Sequence, residues 1–137
     1  VPTRRIMMVG ITIGTRFPAY ATSMGRVLLA AMPVRDRDAV LAASELTAMT
    51  PRTLADADSL SRELQQVRDQ GWAIVDGELE AGLRSAAAPI RGRDGQVVAA
   101  INVSTSASRD TVERLRDFHL PLLLETAAAI EADLRLL

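Results

Sequence analysis

The stretch that decides the fold is residues 83–105, LRSAAAPIRGRDGQVVAAINVST. Two short runs of Ala, Val and Ile, Leu83 to Ile90 and Val97 to Thr105, flank Arg93-Asp94-Gly95-Gln96. Asp-Gly between apolar runs predicts a tight hairpin, because a type I′ turn requires positive φ at both central residues. With Asp94-Gly95 as a two-residue loop, Ser85 faces Ser104, Ala87 faces Asn102 and Pro89 faces Ala100. Side chains alternate along a strand, so these residues share one face. The other face pairs Ala86 with Val103, Ala88 with Ile101 and Ile90 with Ala99, and is plain core. A one-residue slip would exchange the two faces.

Upstream of the hairpin, Trp72 to Val75 reads as a strand, followed by a turn at Asp76-Gly77-Glu78 that is expected to be exposed. Before it lies an amphipathic helix, with Asp56 and Asp58 at its start, Leu60, Leu64 and Val67 on one stripe, and Gly71 as its stop. Val34 to Ala43 gives a short helix. Another starts after Ala21-Thr22-Ser23, which supply an N-cap, and ends near Pro33. Arg5 to Ile13 predicts a strand that ends in the Gly14-to-Tyr20 loop. From Ser108 onward the pattern is helical, with Pro121 expected to kink or break it. Strand, helices, strands and helix around a central hairpin predict an α+β fold with a largely antiparallel sheet.

Composition narrows the chemistry. The 137 residues are one domain's worth, with 48% hydrophobic residues, and no apolar run approaches the ~20 residues of a membrane span. Sixteen basic residues against 17 acidic give a net charge of −1, which argues against electrostatic nucleic-acid binding by this stretch. Every basic residue is Arg, which removes Schiff-base and Walker-type lysines. There is no Cys and a single His, His119, which excludes disulfides, thiolate sites and an ordinary zinc site. No cofactor and no metal are implied.

The small polar face of the hairpin is the candidate site. An exposed antiparallel face usually carries long charged residues. Here it carries Ser85, Asn102 and Ser104 among alanines, which would line a shallow hollow if covered. A few fixed polar groups in an apolar hollow is how small-ligand sites are built. Thr22, Ser23, Met24 and Gly25 begin a helix whose free N–H groups and dipole favour an anion. Gly25 would let another group approach closely. Arg16 could offer a guanidinium to a carboxylate. Met24, Leu28 and Leu83 are the expected apolar walls.

Three segments, taken together, carry a resemblance. Gly14-Thr15-Arg16-Phe17-Pro18-Ala19-Tyr20-Ala21-Thr22-Ser23-Met24-Gly25-Arg26-Val27-Leu28-Leu29-Ala30 is similar to the loop-and-helix signature of the effector-binding domain of IclR-type bacterial transcriptional regulators. Gly71 to Glu78 with Gly82 to Ile90, and Ala99 to Ser104 with Ser108-Arg109, resemble its second and third signatures. The Pro-Ala-Tyr-x-Thr-Ser-Met-Gly-Arg form most resembles the branch containing PcaR, PcaU and PobR.

The resemblance implies a GAF-like domain, a curved, largely antiparallel sheet with flanking helices, over residues 1–137. It implies a cytoplasmic, non-enzymatic homodimer or homotetramer. Its effector would be a small organic, aromatic or β-ketoadipate-pathway acid, such as protocatechuate, β-ketoadipate or 4-hydroxybenzoate. DNA would be read by a separate N-terminal winged helix-turn-helix, and early strands of the domain are expected before Val1. It also places ligand at Ala21 to Gly25, Leu83, Ser85, Asn102 and Ser104, of which Ser85, Asn102 and Ser104 are selected by the hairpin pairing without it. Two rivals remain: a dimerisation module without ligand, and an enzyme with a Ser23 or Ser85 nucleophile. The latter would need a base within reach.

Overall fold

Three antiparallel strands, in the spatial order β1-β2-β3, form the sheet: β1 (Ala73–Asp76), β2 (Leu83–Arg91) and β3 (Val97–Ser106). They belong to a computed structural model that describes residues 11–137. Before the sheet come a 3₁₀ turn (Ala19–Ala21), α1 (Ser23–Ala30), α2 (Val34–Ala43) and α3 (Ala57–Gln70). After it come α4 (Val112–Arg114), a π-helical turn (Leu115–His119) and α5 (Leu120–Leu134). The arrangement is the α+β fold expected from the hairpin. Of the strand expected over Arg5 to Ile13, residues 5–10 lie outside the described residues. Ile11 to Ile13 are not strand, and Thr12 to Thr15 close a turn through the Thr15 N–H to Thr12 O bond, with Gly14 at φ 88°.

The sheet has helices on both faces. Ala73 and Ala87 pack with Val27, Leu29 and Ala30 of α1 and with Leu60, Leu64 and Val67 of α3. Ala86, Ala88 and Ile90 point the other way, against Leu115, Leu120, Leu123 and Ala127. Ala86, Ala87 and Ala88 are fully buried. Their small side chains let helices close on β2 from both sides. Leu60 and Leu64 are wholly buried, which makes the α3 stripe worth about 1.5–3 kcal/mol per side chain in water removal. Asp56 caps α3 by accepting the Ser59 N–H at 2.8 Å, and Gly71 ends it in the left-handed region at φ 84°.

The β2–β3 register is the expected one: Ser85 opposite Ser104, Ala87 opposite Asn102 and Pro89 opposite Ala100. The turn that sets it is different. The Gly95 N–H bonds Gly92 O at 3.0 Å and the Gly92 N–H bonds Gln96 O at 2.8 Å, so the loop has three residues. Only Gly95 has positive φ, at 81°. Asp94 thereby avoids the left-handed strain that a type I′ turn would impose on its Cβ. Arg91 pairs with Val97 but Ile90 with Ala99, so Val98 is an extra, bulged residue that restores the register. Pro89 lies past the last β1–β2 pair, Ala73 with Ala87, where among the described residues no strand asks for its missing N–H.

Pro121 does not break the C-terminal helix. It falls in the first turn of α5, directly after the π turn in which the Leu120 N–H reaches back to Leu115 O. The wider π turn takes up the register that the missing proline N–H disturbs. Nor is the turn after β1 a solvated acidic loop. Asp76 accepts from Arg52 at 2.6 Å and Arg84 at 2.7 Å, and Glu78 is 12% exposed. Among the described residues, no helix is long and apolar enough to cross a membrane.

Candidate functional site

The amino end of α1 is held against the sheet by its own sequence. Thr22 caps the helix, its Oγ1 accepting the Gly25 N–H at 3.1 Å. Gly25 sits so close to the 3₁₀ turn that an added Cβ would lie 2.5 Å from Ala19 Cα and 2.6 Å from Thr22 Oγ1. The group that approaches Gly25 is therefore the chain's own backbone, and Gly25 is a packing residue outside the cavity wall. Arg26, 1% exposed, donates from Nε to Tyr20 O at 2.9 Å and from Nη1 to Glu78 Oε2 at 2.9 Å, with a second bond from Nη2 to Glu78 Oε1. Glu63 stands 3.3 Å from the same guanidinium, and Glu78 also accepts the Leu54 N–H at 3.1 Å. One buried arginine thus ties α1, the 3₁₀ turn, α3 and the turn after β1 together.

Ser23 Oγ accepts a hydrogen bond from Ser85 Oγ at 2.9 Å, joining the first residue of α1 to β2. Around this bond lies a cavity of about 200 Å³. Ala21, Thr22, Ser23 and Met24 line it from the helix side, and Leu83, Ser85, Asn102 and Ser104 from the sheet. Six of these eight, Thr22, Ser23, Met24, Ser85, Asn102 and Ser104, are the residues that the hairpin pairing and the helix start select. Ile11, Phe17, Val75 and Leu79 complete the wall. Val75 pairs with Ser85 one strand over, and the sequence showed the strand but not this register. Phe17 and Leu79 sit in loops, for which no periodicity speaks.

Two expected residues stay outside beside Gly25. Arg16 is exposed in its loop and does not line the cavity, and Leu28, 44% exposed, turns away from it. The reason for Leu28 is helical phase: Val27 and Ala30 take the sheet-facing stripe, leaving Leu28 on the outer side of α1. The hollow is only partly covered. Ser85 is buried, whereas Asn102 and Ser104, joined by an Nδ2–Oγ bond of 3.0 Å, are on its open side.

Chemically the wall is apolar with five neutral polar side chains: Thr22, Ser23, Ser85, Asn102 and Ser104. The Ser23 and Met24 N–H groups belong to the first turn of α1, where no carbonyl lies four residues back within the helix. The dipole there favours negative charge. No acid, base or guanidinium lines the cavity among the described residues. His119 lies elsewhere, its Nε2 3.4 Å from Asp110 Oδ2. Asp110 also accepts from Thr105 Oγ1 at 2.7 Å, and that bond, with the nearby His119 and Arg114, holds its carboxyl below the ordinary 3.8 against the opposing effect of burial. Thr105 alternates with Ser104 along β3, so this cluster occupies the α5 side of the sheet. Among the described residues no three of His, Asp and Glu gather as a metal site.

A small-polar sheet face roofed by a helix amino end defines a small-ligand-binding domain of a recognisable kind. Residues 1–132 match the family model for the bacterial transcriptional regulator IclR C-terminal domain, and the chain belongs to that family. It is 52% identical over 120 residues to the Pca regulon regulatory protein of Pseudomonas putida, covering 88% of this chain and 41% of that protein. A solved structure of a protein from Rhodococcus sp. RHA1 superposes with a TM-score of 0.89 at 53% identity, covering 98% of this chain and 55% of that one. The inducer-binding domain of an Acinetobacter PobR double mutant, in complex with 3-hydroxybenzoic acid, superposes at 0.83 with 31% identity, covering 86% of this chain and 69% of that one. The chain spans less than half the length of the Pseudomonas regulator.

Proposed function

We propose that this effector-binding domain senses a small hydroxylated aromatic acid in the cavity between α1 and the β2–β3 face. The observation that carries the reading is a hollow with apolar walls in which Ser23 and Ser85, joined by a hydrogen bond, converge with Thr22, Asn102 and Ser104. At about 200 Å³ the cavity is below the ~300 Å³ at which drug-sized sites begin, so it suits a single ring and its substituents. The carboxylate is met by hydroxyls, the Asn102 amide and the first N–H groups of α1. The ring covers Met24, Val75, Leu79 and Leu83. Charge is handled by neutral donors and a helix dipole, which gives orientation as well as affinity.

The 3-hydroxybenzoic acid in the PobR inducer-binding domain supports an aromatic acid as the ligand class. We read the domain as a sensor: its relatives are named as transcriptional regulators, and among the described residues no general base lines the cavity to activate either serine. A ligand that bridges α1 and β2 favours one arrangement of the domain over another. Such coupling to a partner subunit or to a DNA-reading module typically amounts to about 1–3 kcal/mol.

The test is a melting-temperature titration with 4-hydroxybenzoate and protocatechuate, each beside its amide. An acid at a hundred times its Kd should stabilise by about 2.7 kcal/mol, or roughly 10 °C for a chain of this size. Equal shifts from acids and amides would remove the carboxylate from the mechanism. No shift from any acid would favour a dimerisation module without ligand.

A further inference from the structure

The opposite end of α1 carries a second cavity, also of about 200 Å³, between the last turns of α1 and α3 and the base of the β2–β3 hairpin. Its floor is apolar, made by Val27, Ala30 and Val67, all of them buried. Its rim is cationic. Arg68 and Arg91 both line it, with Gln96 beside them, and no carboxylate does among the described residues.

The two guanidinium groups are largely uncommitted. Arg68 Nη1 donates to Met32 O at 3.2 Å, which steadies the side chain and leaves the rest of its donors free of partners among the described residues. Arg91 uses its backbone N–H on Glu131 Oε2 at 2.7 Å, and its side chain has no ion pair or hydrogen bond among the described residues. The nearest acids are held by neutral donors outside the cavity wall: Asp69 takes Gln65 Nε2 at 3.0 Å, Asp94 takes the Gln96 N–H at 3.0 Å, and Glu131 takes the Arg91 backbone N–H. Two guanidinium groups thus line one hollow whose wall carries no carboxylate among the described residues.

We propose that this cavity is a second binding site, for a small aliphatic dicarboxylate. The methylene body rests on Val27, Ala30 and Val67, and the carboxylates meet Arg68 and Arg91 in the forked geometry that guanidinium groups offer. The two cavities differ in what they select. The first has only neutral donors and suits one carboxylate on a ring; the second has two fixed positive charges and suits two carboxylates on a short chain.

The experiment is an NMR titration of the chain with adipate, and with adipamide as the neutral control. The reporters are the Gly71 and Gly95 amides and the Val67 methyls. Ser85 and Asn102 report the first cavity. Adipate should produce saturable shifts at Gly71, Gly95 and Val67, and adipamide none. Arg91→Gln touches no internal bond of its side chain, and should weaken adipate about tenfold, as should Arg68→Gln, with the rest of the spectrum unchanged. Absence of saturable shifts at these reporters, equal shifts from adipamide, or an unchanged Kd in both variants would overturn the proposal. So would adipate shifts confined to Ser85 and Asn102. None of these results bears on aromatic-acid binding in the first cavity.

Discussion

Replacing Glu78 by Ala tests what holds the sensing end of α1 in place. The substitution strips Arg26, 1% exposed, of two charge-assisted bonds and leaves the Leu54 N–H without its acceptor. Removing one member of a buried pair costs about 3–5 kcal/mol, because the remaining charge stays desolvated. Glu63, 3.3 Å away and 25% exposed, remains as a partial partner, so the expected loss is at the lower end, about 3 kcal/mol. At this chain length that lowers the melting temperature by roughly 10 °C. In urea the midpoint should fall with an unchanged slope, since the surface exposed on unfolding is the same. Glu63→Ala is the control and should cost no more than about 1 kcal/mol, as a partly solvated pair does. The ligand response should also weaken in Glu78→Ala, because Arg26 positions Tyr20 O, and Leu79, next to Glu78, forms part of the cavity wall. A loss below about 1 kcal/mol for Glu78→Ala would refute the view that this ion pair organises the site.

Gly25→Ala places a Cβ against Ala19 and Thr22 and should destabilise by about 3 kcal/mol or more, read as a lower urea midpoint; a neutral outcome would mean that α1 and the 3₁₀ turn can separate freely. Ser85→Ala should cost about 1 kcal/mol of stability and weaken aromatic-acid affinity about tenfold, measured by calorimetry, since it removes the donor to Ser23 and one polar group of the cavity. Leu64→Ala should cost about 2–5 kcal/mol, because the side chain is wholly buried between α3 and the sheet. Acid should destabilise the fold through Asp56 and Asp110. The Ser59 backbone bond lowers the first and the Thr105 bond lowers the second, so their contributions are fully present above 3.8 and fade as pH falls through their folded values. Asp110→Asn should therefore lower the melting temperature near neutrality, where the ionised carboxylate contributes in full, and converge on the parent in acid, so that the acid side of the profile is flatter.

Much of this site could be read from local pattern. Asp94-Gly95 between two apolar runs specified which residues face each other, and the observed pairs Ser85–Ser104 and Ala87–Asn102 agree. Agreement came by a different route, since a three-residue loop and the Val98 bulge offset one another. Alternation on β2 and β3, the Thr22 cap and the α3 stripe are short-range properties of the chain, and the first two already pointed to Thr22, Ser23, Met24, Ser85, Asn102 and Ser104.

What the sequence by itself determined, then, is which side chains share a face and where each helix starts, because pleat, helical period and capping act over a few residues. Tertiary structure decided the rest. Glu78 looked like part of a solvated turn, yet it is enclosed because Arg26, 52 positions earlier, needs a counter-charge when α1 packs down. Gly25 looked open to a ligand, yet its free side is filled by Ala19. Arg16 looked able to reach a carboxylate, yet its loop leaves it in solvent, while Phe17 and Leu79 reach the cavity through loops that obey no period. Long-range burial sets those outcomes, and no local pattern encodes which distant group will arrive.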